Sequence, residues 1–185
     1  MSDITHPNSE RWTRWLGHLF GKPLSFLEIG SYEGESARWF LDKLLTHSDS
    51  RLLCVDTWQA GEGLPFVADD SLLTKFLNTV EPWKDKCGIM RGKSQDVLPK
   101  LPLESYDIIY VDASHTACNV LADSVLAWRL CKMGGIVLWD DYLWEAWNDP
   151  IRQPKMAIDA FLACYGGKYE LIEREWQVCC KKVGA

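Results

Sequence analysis

Six side chains in this sequence have the types and positions to do chemistry together: Glu28, Asp56, Asp112, Asp140, Asp141 and His115. The first four each follow an apolar run of the kind that forms a buried strand: Phe26-Leu27, Leu52 to Val55, Ile108 to Val111 and Ile136 to Trp139. Carboxylates at the carboxyl ends of several strands line the edge where open α/β sheets bind their ligands. Asp56, closing a second strand, stands where an acceptor for two ribose hydroxyls is expected. The stretch Glu28-Ile29-Gly30-Ser31-Tyr32-Glu33-Gly34-Glu35 reads as a strand passing through a glycine turn into a helix. Its glutamates are poor company for a diphosphate, which asks for a glycine-rich turn facing a helix amino end. A cationic adenosyl ligand without phosphates suits these acids better.

The elements that would position these groups alternate. Trp12, Trp15, Leu16, Leu19 and Phe20 recur at helical spacing over 9–21, ended by Gly21 and Pro23. Strands are expected at about 24–29, 52–55, 87–91, 106–111 and 136–139. Between them come helices marked by Ala37 to Leu45, Leu72 to Val80, a brief one after Gly92-Lys93-Ser94-Gln95, and a long one from Ala117 to Trp128 closed by Gly134-Gly135. A last helix through Ile158, Phe161, Leu162 and Tyr165 precedes two strands, near 168–173 and 176–182, joined too tightly for a helical crossover and so antiparallel. The pattern is that of an α/β sheet with helices on both faces. It reads as a single domain over 1–185: a polar tail 1–8, the helix 9–21 and a catalytic core 24–182.

Composition narrows the partners. A formal net charge of -6 gives a nucleic-acid backbone no general attraction. Seven cysteines without a C-x-x-C pair fit reduced core thiols in a cytoplasmic protein. No apolar run approaches membrane-spanning length, and the first residues lack signal-peptide architecture.

Val55-Asp56-Thr57-Trp58, Tyr110-Val111-Asp112-Ala113-Ser114-His115 and Gly134-Gly135-Ile136-Val137-Leu138-Trp139-Asp140-Asp141 carry a resemblance. Over about 24–182 the chain resembles class I S-adenosylmethionine-dependent methyltransferases. Within them it is most similar to a bacterial subfamily with the macrolide-sugar O-methyltransferases and the cephalosporin-hydroxylase-like proteins. Gly92-Lys93-Ser94-Gln95-Asp96 is similar to the adenine-side turn of catechol O-methyltransferases. The resemblance implies a Rossmann-like seven-stranded sheet, five to six strands parallel and a closing one antiparallel. It implies that Glu28, Gly30, Ser31 and Gly34 line the methionine end of S-adenosylmethionine and that Asp56 takes the ribose. Thr57 or Trp58 would cover the adenine, with Ser94 and Gln95 on its edge; Trp58 reads equally as core or substrate lid. Asp112, also placed against the cofactor, would join Asp140 and Asp141 in holding Mg²⁺, with His115 as base and Asp112 in the catalytic set.

Metal-free catalysis, a helix-capping role for His115 and a non-catalytic cofactor-binding subunit remain open alternatives. The acceptor would be a hydroxylated small molecule such as a sugar or natural product, met by Trp58, Phe66, Tyr142, Trp144 and Trp147 on the loops 57–69 and 141–154. Self-association is left open. Arg152, Lys155, His6, His18 and His47 read as solvated.

Overall fold

The computed structural model describes residues 6–59, 70–145 and 148–185. Its centre is a seven-stranded sheet in the order β3-β2-β1-β4-β5-β7-β6. The strands are β1 (Ser25–Ile29), β2 (Arg51–Asp56), β3 (Cys87–Arg91), β4 (Tyr106–Val111), β5 (Cys131–Trp139), β6 (Tyr169–Arg174) and β7 (Val178–Lys182). β1 to β5 pair in parallel, whereas β7 runs antiparallel to both β5 and β6. Six strands therefore share one direction and β7 alone opposes them, as the closing hairpin led one to expect.

Strand alternation sends successive side chains to opposite faces. Phe26, Cys54, Ile108, Tyr110 and Leu138 pack against α1 (Ser9–Leu16), α2 (Glu35–Trp39) and α3 (Ser71–Val80). Leu27, Ile29, Val55, Ile109, Val137 and Trp139 face α4 (Ser94–Val97), α5 (Ala117–Leu130) and α6 (Pro154–Cys164). All seven cysteines are free, and Cys54, Cys131, Cys179 and Cys180 are buried. No helix among the described residues is long and apolar enough to cross a membrane.

Two local expectations need correction, and one helix reaches its expected end through an irregular turn. The first helix is regular only to Leu16 and tightens into a 3₁₀ turn over Gly17–Leu19. The second continues past Trp39 through one wide turn, where Leu45 N–H reaches back to Phe40 C=O at 2.8 Å. Gly134-Gly135 does not close α5, which ends at Leu130 and passes straight into β5. The glycines sit inside that strand, at a bulge between the pairs Tyr106–Cys131 and Ile108–Ile136. A Cβ at Gly135 would lie 2.7 Å from Cys131 Sγ and 2.9 Å from Asp107 O, so the bulge requires glycine.

Candidate active site

The sheet order reverses between β1 and β4, so the loops leaving these strands part to opposite faces and open a crevice. Register decides what each acid contributes there. Glu28 pairs with Cys54 on one side and Tyr110 on the other, and Tyr110 with Leu138. Two residues further along the same strands, on the same face, come Gly30, Asp56, Asp112 and Asp140. The three aspartates thus form an upper layer at the rim, and Glu28 lies one layer below.

Glu28 is fully buried beneath the turn, Oε1 accepting from Ser36 Oγ at 2.7 Å and Oε2 from Cys54 Sγ at 3.3 Å. Burial pushes its carboxyl up to about 7, against the pull of these donors. Above it the turn is shaped by three left-handed residues, Gly30, Tyr32 and Gly34. A Cβ on Gly30 would stand 2.2 Å from the carbonyl oxygen of Asp112, so the turn lies directly on the end of β4. The Ser31 hydroxyl is buried here without a partner in hydrogen-bond geometry.

Asp56 holds the turn from the side. Its Oδ2 accepts from the N–H groups of Ser31 and Tyr32 at 2.7 and 2.9 Å, and Oδ1 from Trp58 N–H at 2.6 Å. A carboxylate offers about four lone-pair positions, so little direct acceptor capacity remains for a ribose. The Asp56 carbonyl also receives Gly92 N–H at 2.9 Å, tying the end of β2 to the turn after β3. There Ser94 Oγ donates to the buried Asp123 at 2.6 Å, and exposed Gln95 to Asn119 at 3.2 Å. Thr57 Oγ1 accepts from Gln59 N–H at 3.2 Å.

Trp58 belongs to the core. It is fully buried, with its ring 4.9 Å from that of Phe76. Tyr142 is likewise buried, its hydroxyl donating to Asp159 at 2.8 Å and accepting from Lys155 at 3.0 Å. Neither presents an open face, and Lys155 is an ion-pair partner of Asp159 rather than a solvated charge. Phe66 and Trp147 lie outside the described residues.

The second half of the rim is built on the loops after β4 and β5. Asp141, in the left-handed region at φ +56°, places Oδ2 2.8 Å from His115 Nε2. The Trp144 ring stands against the imidazole, centroids 3.4 Å apart. Asp140 is turned inward: Oδ2 accepts the Tyr110 hydroxyl, with Asn8 Nδ2 at 3.4 Å, and Oδ1 accepts from Asp141 N–H at 2.7 Å. Burial and the nearby charges of Asp140, Asp141 and Glu28 hold Asp112 well above the usual carboxylate range.

The expected metal set is not assembled. Among the described residues no three His, Cys, Asp or Glu side chains are grouped so as to hold one ion. Asp140 and Asp141 are instead satisfied by partners within the protein. As arranged, Asp140 and Asp141 would each have to give up a partner before the three aspartates could share one cation.

Sequence reasoning passed over the amino-terminal contribution. His6, read as solvated, is half-buried and stacked on Trp12 with ring centroids 4.4 Å apart, and burial lowers its pKa. Asn8, Trp12, Tyr110 and Gln177 all support Asp140. Only Tyr110 carried a signal, sharing a strand face with Asp112.

Residues 27–142 match the family model described as a methyltransferase domain. The chain belongs to that family. The recognition of a class I S-adenosylmethionine-dependent methyltransferase is borne out by this match and by the sheet. Solved structures share the fold at low identity. An O-methyltransferase from Bacillus cereus, in complex with S-adenosylhomocysteine, superposes with a TM-score of 0.73 at 18% identity, over 98% of this chain and 84% of its own. The O-methyltransferase TomG from Streptomyces achromogenes, involved in tomaymycin synthesis and bound to S-adenosylmethionine, gives 0.69 at 16%, over 100% and 84%. No curated protein matches the sequence.

Proposed function

We propose that this methyltransferase moves the methyl group of S-adenosylmethionine onto an oxygen of a hydroxylated small molecule, with His115 as the base. The observation that carries the reading is the His115–Asp141 pair at the rim, 2.8 Å apart and flanked by Trp144. The O-methyltransferases that share the fold, with donor or product bound, support the same donor and reaction type.

When bound, S-adenosylmethionine supplies an electrophilic methyl carbon and leaves as a neutral thioether. The turn through Gly30, Ser31 and Gly34 would line its methionine end, where the buried Ser31 hydroxyl, close to Glu28, offers a hydrogen bond. Asp112 would face the ammonium there, and the field of Glu28 favours a cation from below. Asp56 would act chiefly by fixing the turn and offer its remaining lone pair to the ribose, with Thr57, Ser94 and Gln95 at the adenine edge. Trp58 supports that side from the core.

In the neutral imidazole, Nε2–H donates to Asp141 and Nδ1 carries the lone pair. Nδ1 takes the acceptor's hydroxyl proton as the oxygen–methyl bond forms, and Asp141 stabilises the resulting imidazolium. Trp144 gives the acceptor a flat apolar wall, which suits a sugar or an aromatic ring. The span 24–182 acts as one catalytic core.

Mg²⁺ held by Asp112, Asp140 and Asp141 is the second reading. What supports it is the clustering of Asp140 and Asp141 beside Asp112: after burial, their charges help to hold its carboxyl above the usual range, and a divalent cation would offset them. It would require Asp140 to release Tyr110 and Asp141 to release His115. The deciding experiment is transfer of labelled methyl from S-adenosylmethionine to a panel of catechols, phenols and sugars, with chelator or with Mg²⁺. Product in chelator, lost in His115→Ala, supports the base; product only with Mg²⁺ supports the cation.

A further inference from the structure

Asp140 is held by a chain of hydrogen bonds whose direction is fixed at its far end. An indole N–H can only donate, and Trp12 Nε1 gives its proton to Gln177 Oε1 at 2.9 Å. That orients the amide, so Gln177 Nε2 faces Tyr110 and donates to its hydroxyl oxygen at 3.3 Å. The Tyr110 hydrogen is then left to donate to Asp140 Oδ2. Asp140 Oδ1 accepts from Asp141 N–H at 2.7 Å, bracing a residue in the left-handed region, where non-glycine residues persist only when held. Asp141 in turn holds His115 Nε2. Trp12, Tyr110 and Gln177 are each fully buried, so a broken link leaves a polar group without water to replace its partner.

We infer that Trp12, Gln177 and Tyr110 are positioning residues for the His115–Asp141 pair, acting through the orientation of Asp140. The inference rests on the reading of His115 as the base. It makes α1 and the β6–β7 hairpin working parts of the site. The chain runs one way, from indole to carboxylate, so Asp140 is always the acceptor at its end. Its other oxygen is thereby kept aimed at the Asp141 amide.

The test uses the full chain, labelled with ¹⁵N-histidine and free of ligand, at a pH well above imidazole titration. Long-range ¹H–¹⁵N spectra report the tautomer of His115, whose signals are identified by their loss in His115→Ala. The wild type is expected to show the Nε2–H tautomer alone. Tyr110→Phe keeps the ring against Trp12 and Phe40 but removes the donor, and is expected to give a mixture of tautomers. Gln177→Met removes the amide that donates to the Tyr110 hydroxyl while keeping the phenol itself, and should move the signals the same way. Ser124→Ala, which deletes a buried hydroxyl bonded to Trp139 Nε1 at 2.8 Å, should leave them unchanged and controls for lost stability.

A pure Nε2–H signal retained in whichever of Tyr110→Phe and Gln177→Met folds, or a wild type without that tautomer, overturns the inference. On an acceptor found in the panel, Tyr110→Phe should lower kcat roughly 10-fold with KM for S-adenosylmethionine unchanged. Failure of the wild type to bind S-adenosylhomocysteine in calorimetry would overturn the methyl-transfer reading instead, leaving the tautomer comparison standing.

Discussion

His115 Nε2 and Asp141 Oδ2 lie 2.8 Å apart, which leaves Nδ1 as the ring nitrogen free to meet an acceptor. General-base catalysis contributes typically 10² to 10⁴-fold. His115→Ala is expected to lower kcat by about that range, and Asp141→Asn by less, since the ring nitrogens survive but lose their orienting charge. Affinity for S-adenosylhomocysteine, measured by calorimetry, should be unchanged in both. An equal loss of affinity would place His115 in the cofactor site instead.

Glu28 predicts a pH dependence of stability with a definite sign. Its carboxyl stands at about 7 in the folded protein against an ordinary 4.5, so the native state binds the proton more tightly than the unfolded one. The stability this contributes is fully present below pH 4.5 and lost as pH rises through about 7. The shift corresponds to on the order of 3 kcal/mol at high pH. Glu28→Gln should therefore raise the urea midpoint at pH 8.5 and leave it nearly unchanged at pH 4.5. A gain of equal size at both values would sink this account.

Gly30 cannot take a side chain. The left-handed φ of +87° and the 2.2 Å approach to the Asp112 carbonyl act together. Gly30→Ala is expected to cost about 2–4 kcal/mol, combining strain at φ with displacement of the β4 end. Gly21, also left-handed but with open space around it, should tolerate alanine at a cost of about 1 kcal/mol. Thermal melts of the two variants test the contrast, and equal costs would show that the close approach relaxes freely.

With Asp140 and Asp141 satisfied internally, chelator should leave methyl transfer within twofold of its starting rate. Asp112→Asn should weaken S-adenosylmethionine binding more than it lowers kcat, measured by titration and initial rates. Inactivation by chelator that Mg²⁺ restores would establish the cation reading instead.

Much of this site was legible in the residues. The strand-end acids, the glycine turn and the closing hairpin follow from apolar runs and turn chemistry, which are local. What each acid does at the rim depends on register, and register is a relation between strands. Glu28 and Asp56 look alike in sequence, yet pairing with Cys54 sets Glu28 a layer lower, under Ser36. Trp58 and Tyr142 looked like acceptor walls because aromatic side chains suit a pocket and a core equally well. Phe76 and Asp159, which claim them, sit 18 and 17 residues away. His6 and Asn8 carried no periodic signal, and their positions follow from where α1 docks.

Trp12 and Gln177 stand 165 residues apart in the chain and touch in the fold. The link between them is made only when α1 and the β6–β7 hairpin are both docked. The pairing of β1 with β2 and β4 beneath the glycine turn does not depend on it. The glycine turn and the His115–Asp141 pair thus rest on different parts of the fold. Local opening of the hairpin would release the Gln177 link while leaving the strands under the turn paired.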